Sequence, residues 1–518
     1  MSDAAPRQVN RWIVALSVMF GTFMEVLDTT VVNVSLPHIA GSLSASIDEA
    51  TWALTSYLVA NAIILPMTGW LASVFGRKRL LMLSVVGFTA SSFLCGLAPT
   101  LGSLIFFRVL QGATGGALQP LSQAVLLESF EPHERGRAMG FWGLGIVVAP
   151  ILGPVVGGWL TETYSWRWVF YINIPIGIAS LYMIKTYVFD PAYIRRGSGV
   201  IDYWGIGLLA VGIGALQIVL DKGQQEDWFE SSYIVGVTAA SVLCLLAFLA
   251  RELMTDHPVV NLRVFKDRTF ATGTFLMTML GFVMYGSLVL LPIWLQTLLG
   301  YSALDAGVAM APRGMGAFLA MPLIGTLIGK FDPRRFLASG LTLASITLWG
   351  FSRLSLDAGY WDFFWPQFVQ GISMALLFVP LTTISMGKIP REQMGNATSI
   401  FNLLRNVGGS IGIAIVATIV ERTQVRNVST LGEHVNPFNP AAVQRMNAAK
   451  QFMMSQGVDP AMATKRAAAM TLGAVHRQAT ITSYVDTFQL LSVIFLSLVP
   501  LILLMRKPSG PSGPVAAH

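Results

Sequence analysis

Long apolar runs recur along almost the entire chain, each of about twenty residues. A helix of that length crosses the hydrocarbon core of a bilayer, which is about 30 Å thick. Only 12% of the 518 residues are charged whereas 54% are hydrophobic, so the chain lacks the charge needed to solvate its apolar surface. The sequence therefore predicts an all-α integral membrane protein. It excludes a water-soluble enzyme, a disordered scaffold and a disulfide-stapled secreted domain.

Breaks at charged residues or at proline and glycine clusters divide the chain into fourteen predicted membrane spans. We place them near residues 12–36, 52–73, 80–99, 103–128, 138–161, 168–188, 202–220, 232–250, 270–298, 307–329, 336–355, 363–387, 397–420 and 486–505. Both cysteines, Cys95 and Cys244, lie within spans, which is typical of small packing residues. No metal site is therefore expected from cysteine.

Lysine and arginine fall mainly in alternate loops, and such basic loops are typical of the cytoplasmic side of a membrane. The basic side carries Arg7, Arg11, Arg77, Lys78, Arg79, Arg135, Arg137, Arg195, Arg196, Arg251, Arg263, Lys266, Arg268, Lys330, Arg334, Arg335, Lys388, Arg391, Arg506 and Lys507. Short loops of the other side carry only Arg167 and Lys222. We therefore predict that both termini are cytoplasmic. This asymmetry also explains the net charge of +7, so no nucleic-acid partner is expected.

A long insert, residues 421–484, separates the last two predicted spans on the outer side. Residues 441–456 are rich in alanine, methionine and glutamine, and Gly457 interrupts that run. Asp459-Pro460 then supplies an N-cap followed by proline in the first turn of a helix. The insert is predicted to contain two helices.

The two halves of the chain share a repeated pattern. Residues 69–81 after the second span resemble residues 325–337 after the tenth, and Gln111 in the fourth span matches Gln370 in the twelfth. The offset stays between 256 and 259 residues, and the matched segments lie on one side of the membrane. We therefore predict two six-helix bundles related by a pseudo-twofold axis along the membrane normal and joined by two linker helices. The predicted units are residues 1–195, 196–262 and 263–518, the last including the insert.

Ionisable residues within the spans are candidates for function, because each costs about 2.5–3.5 kcal/mol to place at the bilayer centre. Glu25 and Asp28 lie three residues apart in the first span and hence on one helix face. A buried carboxylate can gain and lose a proton as its surroundings change, which makes both residues candidates for proton coupling. The alternative is a structural ion pair that fixes two helices. The other ionisable residues that we place within predicted spans are Arg108, Arg313, Arg353 and Arg405.

The fifth span has a stripe of small residues, Ala149, Gly153 and Gly157, spaced to let another helix approach closely. Pro150 and Pro154 each remove a backbone hydrogen bond from the same helix. The pattern indicates a closely packed pivot.

Two enzymatic chemistries can be tested directly against the sequence. No phosphate-binding loop of the form Gly-x-x-x-x-Gly-Lys-Ser/Thr is present, so ATP is not expected to drive the chain. Residues 408–412 match the pattern Gly-x-Ser-x-Gly of serine hydrolases, but they lie in the middle of a span. None of the six histidines falls in a predicted span to serve as the base. The sequence predicts neither an enzyme nor a cofactor.

Four stretches resemble motifs of the major facilitator superfamily, and specifically of its fourteen-helix drug:proton antiporters of the EmrB/QacA type. They are residues 27–37 (LDTTVVNVSLP), 69–80 (GWLASVFGRKRL), 108–112 (RVLQG) and 153–158 (GPVVGG). The resemblance covers nearly the whole chain and implies the major-facilitator fold.

The resemblance also implies roles for particular residues. It links Asp28 and Arg108 to proton coupling. It implies an antiporter motif at Gly153, Pro154, Gly157 and Gly158, and a gating motif in the loop after the second span at Gly69, Gly76, Arg77 and Lys78. The family usually has aspartate where this chain has Ser73, so we expect the charge relay at the inner face to be weakened or replaced.

The implied function is proton-coupled multidrug efflux across a bacterial inner membrane. Such pumps in Gram-negative bacteria dock a periplasmic adaptor, or membrane fusion protein, and an outer-membrane channel. A membrane sensor or scaffold that does not transport, and a carrier of one metabolite or siderophore, remain open alternatives.

Candidate substrate-cavity residues are Gln111, Met277, Tyr285, Gln370 and Arg405. The second half of the chain has Arg313 and Arg405 within spans but no carboxylate at mid-depth. A neutral or positive cavity favours neutral or weakly acidic amphipathic substrates over dications, because an unpaired buried charge is costly.

Overall fold

The computed structural model describes residues 10–190, 202–256 and 258–505, and this part of the chain is built from helices. The α-helices of the described residues are α1 (Arg11–Ser42), α2 (Ile47–Phe75), α3 (Arg77–Leu97), α4 (Leu101–Gly115), α5 (Leu118–Ser129), α6 (Arg135–Thr163), α7 (Trp168–Tyr171), α8 (Asn173–Tyr187), α9 (Tyr203–Lys222), α10 (Ser232–Met254), α11 (Arg268–Thr297), α12 (Ala303–Leu327), α13 (Pro333–Phe351), α14 (Tyr360–Ser385), α15 (Met394–Glu433), α16 (Pro440–Ser455) and α17 (Pro460–Leu498). The predicted all-α membrane fold is confirmed.

Thirteen helical segments of the described residues are long and apolar enough to cross a membrane. Helices α4 and α5 together form the fourth predicted span, and α7 and α8 together form the sixth. The remaining predicted span, the eleventh, is the 19-residue helix α13, which packs against α14 and α17. Arg334 and Arg335 in its first turn, together with its serine, threonine and glycine residues, lower its mean hydropathy, although it lies among the spanning helices. Each of the fourteen predicted spans therefore corresponds to helix.

Several helices begin or end beyond the predicted spans. Helix α2 begins at Ile47, because Ser46 and Glu49 form a reciprocal cap in which each side chain accepts the other residue's backbone N–H, at 3.2 and 2.8 Å. Helices α1 and α17 extend far enough to include His38 and His476, which lie outside the predicted spans, and both side chains are exposed.

Equivalent helix pairs pack together in the two halves of the chain. Helix α1 packs on α6 as α11 packs on α15, α2 packs on α4 as α12 packs on α14, and α3 packs on α8 as α13 packs on α17. The two groups of helices meet where α6 contacts α12 and where α2 contacts α15. Helix α9 pairs with α10 and also contacts α2 and α15. The predicted boundary at 195/196 lies outside the described residues, as do Arg7, Arg195, Arg196, Arg506 and Lys507.

The membrane face that carries the loops at residues 76–79, 130–135, 328–333 and 386–393 is called the basic face here. Near this face α6 and α12 approach closely, since a Cβ atom on Gly325 would lie 2.7 Å from the carbonyl oxygen of Gly136. Helices α15 and α5 are joined there too: Asn402 Nδ2 donates to Gln123 Oε1 at 2.6 Å, and Thr398 Oγ1 donates to the Pro120 carbonyl oxygen at 3.0 Å. The two groups of helices are therefore in contact across the basic face.

The insert at residues 421–484 forms a helical hairpin. The first predicted helix is confirmed as α16, and the second begins at Pro460, where Asp459 accepts the backbone N–H groups of Ala461 and Met462. This second helix is not separate, however, because α17 continues for 39 residues through the last span. Helix α15 likewise continues out of its span for a total of 40 residues.

Candidate functional site

A carboxylate and a guanidinium form an ion pair at the centre of the first group of helices. Asp28 of α1 and Arg108 of α4 lie 2.6 Å apart, from Oδ2 to Nη1, and neither side chain has any exposed surface. Two charges taken out of water are stable together only where further hydrogen bonds satisfy them. The surroundings of the pair supply such bonds.

Two amide side chains complete the coordination of Asp28. Gln111 Nε2 and Asn173 Nδ2 both donate to Oδ1, at 3.0 and 2.8 Å. Gln111 lies three residues after Arg108 on the same face of α4, and its Oε1 accepts from Arg108 Nη1 at 2.7 Å. Arg108 Nε donates to the carbonyl oxygen of Ala53 at 2.9 Å, which ties α4 to α2. Helices α1, α2, α4 and α8 therefore converge on one ion pair.

Aromatic rings enclose the ion pair. The Arg108 guanidinium lies 4.1 Å from the ring centre of Tyr57 and 5.7 Å from that of Phe170. Among the described residues, Arg108 Nη2 and the Tyr57 hydroxyl have no hydrogen-bond partner. The site thus keeps spare polar groups in an apolar shell, where a change in the charge of Asp28 has large electrostatic consequences.

Asn173 and Ser92 are the site residues that sequence reasoning missed. Asn173 Nδ2 also lies 3.0 Å from Ser92 Oγ, which donates to the carbonyl oxygen of Phe170 at 2.8 Å. The signal available in the sequence was an isolated amide side chain in the apolar run of the sixth predicted span. The apolar run does not indicate which residues Asn173 contacts.

Glu25 occupies a second polar position one turn before Asp28. Its side chain is buried, and Oε1 accepts from Asn61 Nδ2 of α2 at 2.8 Å. Within the part of the chain that the structure describes, Oε2 has no hydrogen-bond partner. Gln119 of α5 and Arg405 of α15 both lie close enough to act on this carboxylate, and Arg405 donates to Gln119 Oε1. Glu25 therefore faces the boundary between the two groups of helices.

A cavity lies at this boundary, between α6 of one group and α11, α14 and α15 of the other. Its lining is Gly143, Ile146, Val147, Leu280, Gly281, Met284, Tyr285, Met374, Phe378 and Arg405. Of the predicted cavity residues, Tyr285 and Arg405 thus line it. Met277 is fully buried in the core, Gln111 belongs to the Asp28 site, and Gln370 accepts from Arg313 Nη2 at 2.7 Å.

The stripe of small residues in α6 lies against α1, the helix that carries both acids. A Cβ atom on Gly153 would collide with Thr30, and one on Gly157 would lie 3.0 Å from the carbonyl oxygen of Val31. A Cβ atom on Gly158 would meet no described atom within 4 Å. Pro154 instead lies on the side of α6 that faces α12, where a Cβ atom on Gly307 would be 4.0 Å from the Pro154 Cβ. The close contact between α6 and α1 therefore depends on Gly153 and Gly157.

The residues of the predicted gating motif make contacts at the basic face. A Cβ atom on Gly69 would lie 2.7 Å from the Asn396 Cα of α15, so α2 and α15 touch there. Gly76 has a φ of 83°, a left-handed conformation that permits the sharp turn from α2 into α3.

The charged members of this motif have partners within the first group of helices. Arg77 forms a buried ion pair with Glu128 at the end of α5. The Lys78 backbone N–H donates to Asp190 at 2.8 Å, and its ammonium donates to the carbonyl oxygen of Lys185 at 2.7 Å. Ser73, in the position where aspartate was expected, donates to the carbonyl oxygen of Trp70 at 2.7 Å. Arg77 therefore uses Glu128 as its partner.

Comparison with known proteins identifies the class to which this fold and site belong. The family model described as Major Facilitator Superfamily matches residues 18–413. Two solved structures share the fold: the human organic anion transporter MFSD10, with a TM-score of 0.59, 13% identity and coverage of 94% of this chain and 100% of that one, and the proton:xylose symporter XylE, with a TM-score of 0.56, 15% identity and coverage of 96% and 97%. The chain belongs to the major facilitator superfamily and is a multi-pass membrane transporter.

Relatives of similar length place the chain more narrowly. It is 38% identical over 500 residues to the multidrug export protein EmrB of Haemophilus influenzae, with 96% of each chain covered. It is also 38% identical over 507 residues to the fatty acid resistance protein FarB of Neisseria gonorrhoeae, covering 96% of this chain and 97% of that one. The multidrug export protein EmrB of Escherichia coli K12 is 37% identical over 502 residues, with 97% and 96% covered. The chain is a member of the EmrB-type drug:proton antiporter family.

Proposed function

We propose that this protein is a proton-coupled antiporter that exports hydrophobic or amphipathic small molecules from the cytoplasm. The observation that carries the proposal is the fully buried Asp28 carboxylate, held by Arg108, Gln111 and Asn173. The EmrB relatives, named as multidrug export proteins, support it. The protein moves its substrates without a covalent reaction and acts as a transporter rather than an enzyme.

The site supports a specific role for the proton. In the ionised state, Asp28 accepts three hydrogen bonds from α4 and α8 and neutralises Arg108. Protonation removes the negative charge and leaves the buried guanidinium without its counter-charge, which is strongly unfavourable. Arg108 must then change its environment, and α1 and α4 must shift relative to each other. The contact of α1 with Gly153 and Gly157 transmits this shift to α6, which lines the cavity.

The proposed setting is a bacterial inner membrane with both termini in the cytoplasm. The basic face of the described helices is then the cytoplasmic face, in accord with the enrichment of lysine and arginine there. We assign residues 1–195 and 263–518 to the two moving bundles and residues 196–262 to the linker, in keeping with the recurrent helix pairs. The hairpin at residues 421–484 would lie in the periplasm, where it would contact an adaptor that leads to an outer-membrane channel.

The proposal is tested by proton movement in proteoliposomes that carry a pH-sensitive dye inside. The substrate should be a neutral fluorescent amphiphile, because such a compound carries no proton across the bilayer itself. Substrate addition should produce a proton flux opposite to substrate movement with the native protein and none with Asp28→Asn. Substrate movement with no proton flux in the native protein would contradict antiport.

A second candidate is a carrier dedicated to acidic amphiphiles such as fatty acids. The similarity to FarB, named as a fatty acid resistance protein, favours it, and so does the presence of Arg405 in the cavity. Susceptibility profiling of a pump-deleted host that expresses this chain separates the two candidates. Protection against many unrelated compounds supports multidrug export, and protection against fatty acids alone supports the dedicated carrier.

A further inference from the structure

Hydrogen bonds join the two groups of helices in two different ways. Near the basic face and at mid-depth, α5 bonds directly to α15, as where Asn402 Nδ2 donates to Gln123 Oε1. In the outer half, which is the half of each helix remote from the basic face, no hydrogen bond of the described residues passes directly from one group to the other. The hydrogen-bonded connection there runs through α9 and residues 223–228, which together we call the strap.

One side of the strap is bonded to the outer end of α2. Thr55 Oγ1 donates to the Asp221 carboxylate, and the Lys222 ammonium donates to Thr51 Oγ1. The same ammonium lies 5.4 Å from the ring centre of Trp52. Lys222 is buried, so its charge is held close to α2. Both hydrogen bonds involve a charged group, and such bonds are stronger than those between neutral groups.

The strap also packs on α2 nearer the middle of the membrane. A Cβ atom on Gly214 would lie 3.4 Å from Ile63 Cδ1 and 3.5 Å from Val59 Cγ1, so the two helices are in van der Waals contact there. Contacts with α2 therefore extend from Thr51 to Ile63, which is about three helical turns. The strap is firmly attached to the first group of helices.

The other side of the strap is bonded to α15. Gln217 Nε2 donates to Ser410 Oγ at 3.0 Å, and the Ser410 hydroxyl can donate in turn to Gln217 Oε1 at 3.2 Å. Further out, Trp228 Nε1 donates to Thr418 Oγ1 at 3.1 Å. The strap thus contacts α15 at positions two turns apart.

These contacts with α15 are weaker than the contacts with α2. The two pairs just described join neutral groups. A third contact, in which Gln224 Nε2 donates to Glu421 Oε2 at 2.8 Å, is exposed, so water competes for both partners. The strap should therefore separate from α15 more easily than from α2.

The face of α15 opposite the strap is held closely by α11. A Cβ atom on Gly408 would collide with the carbonyl oxygen of Thr278, and one on Gly412 with that of Phe282. Ser410 is the serine of the Gly-x-Ser-x-Gly pattern to which these glycines belong, and its hydroxyl bonds to the strap. The pattern therefore serves two helix contacts, and α15 belongs with the second group of helices.

We propose that the strap is a releasable tie that closes the outer side of the cavity. It moves with α2, and its contacts with Ser410, Thr418 and Glu421 break when the outer halves of the two groups move apart. The inference rests on the proposed function, because an exporter must open its cavity to the outer side. It assigns a role in the transport cycle to α9, which is additional to the two bundles.

The test measures three distances between spin labels on the full-length protein in lipid nanodiscs. Labels are attached to cysteines introduced pairwise at Asp48, Glu226 and Arg426, which are exposed and mark α2, the strap and α15. The background lacks Cys95 and Cys244. Electron–electron double resonance is recorded with and without the neutral fluorescent amphiphile. In the separated state, the distances from Arg426 to both other labels should lengthen, while the distance from Asp48 to Glu226 stays constant.

Variants that weaken the tie should favour the separated state. Gln217→Leu/Ser410→Ala should raise the ratio of separated to closed protein about fivefold, the factor expected for loss of one neutral hydrogen bond. Thr418→Val removes the acceptor for the strap without changing the side chain's shape and should act in the same direction, and it carries the comparison if the first variant does not fold. Ser345→Ala/Ser492→Ala, which removes a buried pair at 2.9 Å between α13 and α17, should leave the ratio unchanged.

Two results would overturn the proposal. One is a separated state in which the strap stays with α15 and leaves α2. The other is an unchanged ratio in both Gln217→Leu/Ser410→Ala and Thr418→Val. Failure of the proposed function is a different result, because these distances are measured without a proton gradient. Release of the strap without proton flux in proteoliposomes would reject antiport and keep the tie, whereas proton-coupled export with the strap fixed to α15 would do the reverse.

Discussion

Asn173 Nδ2 lies 2.8 Å from Oδ1 of Asp28, and this hydrogen bond joins α8 to α1 where both side chains are fully buried. Gln111 donates to the same oxygen from α4. Oδ1 of the carboxylate therefore accepts hydrogen bonds from α4 and α8, and Oδ2 is paired with Arg108. Each donor favours one orientation of the Asp28 carboxylate and ties α1 to α4 or α8.

Replacing Asn173 by alanine should impair transport without removing either charge of the ion pair. The loss of one hydrogen bond to a charged group costs about 1.5–3 kcal/mol, so we expect roughly a ten- to hundredfold lower initial export rate. Efflux of a fluorescent amphiphile from proteoliposomes measures this rate. Gln478→Ala, which removes an exposed amide in α17, serves as the control and should export normally. Normal export by Asn173→Ala would show that Asp28 does not depend on this contact.

Asp28→Asn should abolish proton exchange and lower thermal stability, because an amide cannot titrate and Arg108 loses its buried counter-charge. Breaking one side of a buried pair costs about 3–5 kcal/mol, whereas removing both charges is much less costly. The double variant Asp28→Asn/Arg108→Gln should therefore regain much of the lost unfolding midpoint but still release no protons. Asp48→Asn, at an exposed acid in the first turn of α2, should behave as the native protein in both assays. Proton release by either Asp28 variant would place the exchanged proton elsewhere.

Leucine at Gly153 or Gly157 should arrest the transport cycle. Both positions lie against α1, where an added side chain collides with Thr30 or with the backbone of Val31. Gly158→Leu is a matched control one residue away, since a Cβ there meets no described atom within 4 Å. We expect Gly158→Leu to transport at close to the native rate.

The arrest can be followed with a reporter cysteine in place of Tyr285, which lines the cavity. The background should lack Cys95 and Cys244, the cysteines that are free in the structure. A membrane-impermeant maleimide should label the native transporter with a pattern that changes on addition of substrate, and this change should disappear in Gly153→Leu. An unchanged response would mean that the glycines serve packing alone.

Deletion of residues 430–478 from the hairpin should abolish resistance in cells with two membranes yet spare transport in proteoliposomes. Asn427 and Ser483, which are joined at 3.2 Å across α15 and α17, remain in place to hold the shortened hairpin. The deletion also removes Arg477, whose Nη2 donates to the carbonyl oxygen of Leu298 at 3.0 Å. Full-length Arg477→Gln controls for that anchor and should retain resistance. Loss of both activities in the deletion would make the hairpin part of the transporter's own gate.

The membrane fold could be predicted from the sequence because its main determinant is local. Apolar runs define spans, and charged or proline-rich breaks define their ends, without knowledge of which helix packs on which. The predicted helix ends differ most from the structure where a helix extends beyond the membrane, as α15 and α17 do. Beyond the bilayer boundary, the length of a helix depends on capping residues and on packing within the hairpin. Hydropathy does not predict where such a helix ends.

From the sequence, only those site residues that stand out within a single span could be predicted. Glu25, Asp28 and Arg108 stand out because they are charged in apolar runs. The contact between Arg405 and Gln119 joins residues 286 positions apart, and nothing in either run indicates it. The sequence predicts that Gln111 lines the cavity, but its side chain lies against Asp28. Arg108, three residues earlier on α4, donates to Gln111 and holds it there.

The length of α15 gives it the properties of a lever. Arg405 lies near one end of this 40-residue helix, no proline interrupts it, and its far end forms one arm of the hairpin. From Arg405 to Glu433 the helix measures about 42 Å, so a tilt of about 10° at the cavity displaces the distal end by about 7 Å. A change of helix tilt on occupancy of the cavity would therefore become a mechanical displacement outside the membrane. A protein bound to the hairpin would receive that displacement as a signal of the transporter's state, without any contact with the transported molecule.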